Sequence, residues 1–159
     1  MKSEIGKGSE FIFELPLQRV KKPKIIKKSV FTSSNNYLKN KRILIVEDDD
    51  IIYEFLKIVL KPHEVKISRT INGKTAIQKY LDGKRFDLVL MDLGLPDMDG
   101  YSVTREILKI SPSARIMAQS AYAMQMDIEK SYEAGCLDYI SKPISTELLI
   151  SKMSNLIAT

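Results

Sequence analysis

The chain has 159 residues, 44% of them hydrophobic and 28% charged, with a net charge of +5 and a single cysteine, Cys136. That composition suits one soluble globular domain able to build its own core. It excludes an intramolecular disulfide and a multi-cysteine zinc site, while the lack of any run of about 18 apolar residues excludes a membrane-spanning helix. No apolar signal-peptide core opens the chain, and cytoplasmic chemistry is the expectation. The positive charge is uneven: residues 1–41 hold ten Lys/Arg against three Glu, whereas the remainder is slightly acidic.

Phe11-Ile12-Phe13-Glu14-Leu15-Pro16-Leu17 reads as a strand closed by proline. Residues 18–40 mix lysines with Ser33-Ser34-Asn35-Asn36 and read as a basic linker, with nucleic-acid binding not expected because no aromatic or recognition-helix pattern accompanies the lysines. From residue 41 onward short apolar runs alternate with helix-period segments. Strands are expected at Ile43–Val46, Val65–Ser68, Asp87–Met91, Arg115–Gln119 and Leu137–Ile140. Helices are expected near Asp50–Leu60, with Ile51, Ile52, Phe55, Ile58 and Val59 on or beside its apolar stripe, then from the cap Asn72 to Gly83. Further helices are expected near Tyr101–Ile110, Met124–Ala134 and Thr146–Ile157. Met117, Met124, Met126 and Met153 read as packing residues. Strands that are apolar throughout belong in a parallel sheet covered on both faces, giving a doubly wound, flavodoxin-like (βα)5 α/β fold. Ligands in such folds sit at the carboxyl ends of the strands.

Polar residues gather at those ends. The first strand runs into Glu47-Asp48-Asp49-Asp50, the third ends at Asp92, the fourth at Ser120, and the fifth at Ser141-Lys142-Pro143. Each has an ordinary explanation: acids at a helix N-terminus, a turn aspartate, a helix-capping serine, a surface lysine. Their joint placement points further, because neighbouring parallel strands lie about 4.8 Å apart and can bring these groups into one pocket. Clustered carboxylates stay ionised together only beside a cation, and oxygen ligands without His or Cys favour Mg²⁺. A metal, a carboxylate nucleophile, a hydroxyl and an ammonium are the parts phosphoryl transfer needs.

Ile43–Asp48, Asp87–Gly100, Ser120–Met124 and Ala134–Pro143 resemble the signature segments of response-regulator receiver domains, over about Arg42 to Ile157. The resemblance implies that Asp92 is the phospho-acceptor, and that Glu47, Asp48, Asp92 and the carbonyl of Gly94 hold Mg²⁺. It implies that Ser120 and Lys142 contact the phosphoryl group, and that Ser120 and Tyr139 form the switch. Pro143 would follow a cis bond, and Gly94 and Tyr122 would tune the phosphorylation lifetime. The sole histidine, His63, sits in a Pro-flanked turn and is not expected to relay phosphate, and Cys136 reads as a small core residue. Ile5–Leu17 resembles the end of a histidine kinase ATP-binding domain. The expected organisation is therefore a kinase remnant at 1–17, a linker at 18–40 and a receiver at 41–159, within a hybrid histidine kinase. Such a receiver would take phosphate from the kinase dimerisation and phosphotransfer core and relay it to a histidine phosphotransfer protein. The chain alone would have no autokinase activity and no contact with a membrane. A free-standing single-domain response regulator is the alternative.

Overall fold

The computed structural model describes residues 2–4, 8–10, 37–121 and 125–158. The chain divides into two compact units, Met1–Ser33 and Ser34–Thr159. In the first, β1 (Lys2–Glu4) and β2 (Gly8–Glu10) form an antiparallel pair, with Ser3 opposite Ser9. The strand expected at Phe11–Leu17 and most of the linker lie outside the described residues, as do Tyr122 and Met124. At the end of that expected linker, Leu38 is buried among apolar side chains of the second unit, so packed structure begins before residue 41.

The second unit alternates strand and helix: β3 (Arg42–Val46), α1 (Asp50–Leu60), β4 (Lys66–Thr70), α2 (Gly73–Leu81), β5 (Leu88–Asp92), α3 (Gly100–Ile110), β6 (Ile116–Ser120), α4 (Gln125–Glu133), β7 (Asp138–Ser141) and α5 (Thr146–Ala158). The five strands β3 to β7 form one parallel sheet in the order β4-β3-β5-β6-β7, the flavodoxin-like arrangement. The chain winds outward from β3 to β4, then crosses back to β5 on the other side of β3. That reversal makes the β3–β5 boundary the switch point, where a crevice opens at the carboxyl ends.

Alternate residues of each strand serve opposite layers. Leu44, Val46, Val89, Met91, Ile116 and Ala118 meet Ala76 and Tyr80 of α2 and Val103 and Ile107 of α3. Ile43, Ile45, Leu88, Leu90, Met117 and Ile140 meet Leu56 and Leu60 of α1 and Leu149, Met153 and Ile157 of α5. This two-sided burial is why β3 and β5 are apolar at nearly every position, whereas the edge strand β4 is mostly polar and only partly buried.

Three sequence expectations need correction. The stripe of α1 is turned: Leu56 and Leu60 are fully buried, whereas Ile51 and Ile58 are 82% and 69% exposed. Met126 is exposed rather than packed, although Met117 and Met153 are buried. The last four strands extend farther toward their carboxyl ends than their apolar runs imply, β4 ending at Thr70 and the other three one residue beyond the run. The reason is that ladder pairing continues through polar residues, with Asp92 opposite Gln119 and Ser120 opposite Ser141.

Local chemistry then closes the ends nearest the crevice. Asp49 caps α1 by accepting from the N–H groups of Ile51 and Ile52 at 2.7 and 3.1 Å. Asp99 caps α3, and Asp97 accepts from the N–H groups of Gly73 and Lys74 at the start of α2, tying the loop after β5 to a neighbouring helix. Gly100 packs so closely on the end of β5 that a Cβ there would lie 2.3 Å from the carbonyl oxygen of Asp92.

Candidate phosphoryl-transfer site

Glu47 and Asp48 leave β3, Asp92 ends β5, Ser120 ends β6, and Lys142 follows β7 directly. Ordered ladders carry the chain up to each of these residues, so rigid backbone rather than loop sets their spacing. Carboxylate oxygens of Glu47, Asp48 and Asp92 all lie within 4.8 Å of one another. The Lys142 ammonium bridges two of the three, donating to Asp92 Oδ2 at 2.8 Å and Glu47 Oε2 at 2.9 Å. The N–H of Gly94 donates to Asp92 Oδ1 at 3.0 Å. Of the four consecutive acids, then, two leave the pocket: Asp49 caps α1, and Asp50 pairs with Arg69 at 2.6 Å.

Burial grades the site. Glu47 is fully buried and Asp92 is 7% exposed, whereas Asp48 is open to solvent. Burial pushes the Glu47 carboxyl up to about 7; Lys142 opposes that rise, and the charge of Asp92 reinforces it. Burial pulls the Lys142 ammonium down, but its bonds to Asp92 and Glu47 outweigh that and hold it above the usual lysine range. Three carboxylates facing one ammonium leave the pocket short of positive charge. A small divalent cation with oxygen ligands fits that deficit, and the donor set holds no sulfur or imidazole that would favour zinc.

Ser120 is buried and side-chain hydrogen-bonded to Tyr139, itself buried beside it. Tyr139 thus already occupies an inward position in this structure. The Lys142–Pro143 peptide bond is cis. His63 lies in the 3₁₀ turn Lys61–His63 ahead of β4, at the amino ends of the strands and away from this pocket. Cys136 is buried, contacts Thr104 Oγ1 at 3.7 Å, and has its thiol pushed up to about 11 by burial.

Two residues of the site escape the sequence reading. Arg69, at the end of β4, donates to the carbonyls of Glu47 and Asp48 at 3.1 Å each while stacking 4.3 Å from the Tyr53 ring centroid. It clamps the acidic turn from the edge of the sheet, and nothing in the sequence links it to that turn. Gln119 donates from Nε2 to Glu47 Oε2 at 2.9 Å. Its signal was present, as a lone amide directly after the apolar run Ile116-Met117-Ala118.

Comparisons with known proteins give the family and the fold. The model of the response regulator receiver domain family matches residues 43–154. The chemotaxis protein CheY of Thermotoga maritima is 34% identical over 115 residues, covering 72% of this chain and 95% of that protein. The polar-differentiation response regulator DivK of Brucella anthropi is 34% identical over 118 residues, covering 72% of this chain and 94% of that protein. Among solved structures, the receiver domain of the sensor histidine kinase PA1611 from Pseudomonas aeruginosa, with a magnesium ion coordinated in its active-site cleft, superposes with a TM-score of 0.70. It is 31% identical, and the match covers 76% of this chain and 99% of that one. The chain belongs to the response regulator receiver domain family, the phosphorylation-accepting module of two-component signalling.

Proposed function

We propose that Asp92 accepts a phosphoryl group from a kinase phosphohistidine, with Mg²⁺ held by Glu47, Asp48, Asp92 and the carbonyl of Gly94. The observation that carries this reading is the Asp92 carboxylate itself, almost buried, braced by Lys142 and the Gly94 N–H, and grouped with two other acids. A carboxylate oxygen of Asp92 attacks phosphorus, the phosphorus–nitrogen bond breaks, and its electron pair leaves with the imidazole ring. The product is an acyl phosphate. Bound Mg²⁺ supplies positive charge against the charge gathered on the phosphoryl oxygens. Lys142 turns its ammonium to the same oxygens, and the Ser120 hydroxyl donates to one of them. Intact-mass measurement after acetyl phosphate treatment tests the assignment. Wild type should gain one phosphoryl group only with Mg²⁺ present, and Asp92→Asn should gain none; a full gain in that variant would remove Asp92 from the role.

The wider setting proposed is the receiver of a hybrid histidine kinase in the cytoplasm, charged by the kinase core and relaying to a histidine phosphotransfer protein. Support comes from the Ile5–Leu17 motif and from the likeness to a receiver domain that belongs to a sensor histidine kinase. Among the described residues no helix is long and apolar enough to cross a membrane. The second reading, a free-standing response regulator, is favoured by the near-complete coverage of the CheY and DivK relatives. Transfer from a phosphorylated kinase core, followed by transfer to a phosphotransfer protein, would separate a relay from a terminal regulator.

A further inference from the structure

Gln119 is fully buried in β6, opposite Asp92 in the sheet register and one residue before Ser120. A primary amide at that depth is costly unless its donors and acceptor are paired. Only part of that requirement is met. Nε2 donates to Glu47 Oε2, but among the described residues Oε1 receives no hydrogen bond. A leucine or methionine would fill similar space without an orphaned acceptor, so this amide is a poor choice for packing alone.

Its partner shows what it is suited to. Oε2 of Glu47 takes two firm hydrogen bonds, from Gln119 and from Lys142, both at 2.9 Å. From N–H donors among the described residues, Oε1 takes a long one, from the Asp49 N–H at 3.4 Å. Oε2 thus carries the firm bonds from nitrogen donors and Oε1 the weaker one, in a carboxyl that also meets that of Asp92 within a cluster of three acids fit to share a cation. We propose that Gln119 is a positioning residue for the divalent cation, holding Oε2 of Glu47 so that Oε1 is the oxygen offered to the ion. Lys142 cannot do this alone, because it is shared with Asp92 and turns to the phosphoryl group in the reaction proposed above. Gln119 has no such second duty among its described contacts and keeps Glu47 oriented throughout. This inference rests on the proposed cation site.

The test is a Mg²⁺ titration of the full chain, followed by backbone amide NMR, on wild type, Gln119→Leu, Glu47→Ala and the double variant. Partners that orient a ligand commonly change metal affinity about tenfold or more, so Gln119→Leu should weaken Mg²⁺ binding by roughly that factor. Its metal-free unfolding should stay cooperative, which separates a lost ligand contact from a lost fold. In the Glu47→Ala background, Gln119→Leu should cause no further loss, because the residue acts through Glu47. Should Gln119→Leu fail to fold, Gln119→Met provides the same comparison. Unchanged affinity in the folded single variant, or an equal loss in the Glu47→Ala background, would overturn the inference while leaving the cation site standing. Wild type that binds no Mg²⁺ would overturn both.

Discussion

Glu47 carries a conflict that its neighbours only partly resolve. It is fully buried, and its carboxyl is raised from 4.5 to about 7 by that burial. Between these values the folded, metal-free protein holds a proton that the unfolded chain has released, so stability should fall as pH rises through that interval. Above it Glu47 is ionised and in need of a cation. The rise in melting temperature on adding Mg²⁺ should therefore be larger near pH ~8 than near pH ~5.5, and Glu47→Gln should flatten the difference. Thermal unfolding with and without Mg²⁺ at the two pH values measures it; an equal gain at both would contradict the link between Glu47 ionisation and the cation. The same variant should leave Asp92 its Lys142 contact, which makes it a milder change than removing Lys142.

At the scale of elements, α1 offers a direct contrast. Its sequence is apolar at eight of eleven positions, but only Leu56 and Leu60 are fully buried. Leu56→Ala should cost about 2–5 kcal/mol of unfolding free energy, the usual range for a truncated core leucine. Ile58→Ala, on the exposed side, should stay within about 0.5 kcal/mol of wild type. Urea unfolding of the two variants decides between this orientation and one with Ile51 and Ile58 turned inward. The junction of β5 and α3 is less forgiving. A Cβ at Gly100 would lie 2.3 Å from the Asp92 carbonyl oxygen and 2.8 Å from the Leu93 Cα, and neither is the tip of a flexible side chain. Gly100→Ala should then displace the backbone that carries Asp92. The expected outcome is a loss of roughly 1–3 kcal/mol of stability, the overpacking range, together with slower acetyl phosphate labelling. Wild-type labelling kinetics in that variant would show that the strand end tolerates the shift.

For the molecule as a whole, the described residues gather Glu47, Asp48, Asp92 and Lys142 into one acidic pocket at the sheet's switch point. The proposed reading makes phosphate arrive from a histidine rather than directly from ATP. Incubation with labelled ATP and Mg²⁺ should leave the chain unlabelled, whereas a phosphorylated kinase core should label Asp92. Ser120→Ala should still accept phosphate. Its loss of the hydroxyl shared with Tyr139 should weaken the response of the α4–β7 surface, since a hydrogen bond to a charged oxygen contributes about 1.5–3 kcal/mol. Amide NMR shifts around Tyr139, compared between phosphorylated wild type and phosphorylated Ser120→Ala, report that response; identical shifts would break the proposed coupling.

The alternation of apolar runs with helix-period segments was enough to specify a doubly wound parallel sheet, because only two-sided burial calls for strands apolar at nearly every position. The same order placed Glu47, Asp48, Asp92, Ser120 and Lys142 at carboxyl strand ends, since backbone spacing between parallel strands does not depend on side-chain detail. Other features required the packed molecule. The phase of α1 was illegible because apolar residues surround the whole helix, so periodicity could not choose Leu56 and Leu60 over Ile51 and Ile58. The division of the four acids was equally hidden: whether an aspartate caps a helix, pairs with Arg69 or faces a pocket depends on where β4 and α1 lie around it. Gln119 was, in the sequence, no more than the last residue of an expected strand. Its partner, 72 residues away and just past the end of β3, became visible once β5 brought β3 and β6 to either side of Asp92.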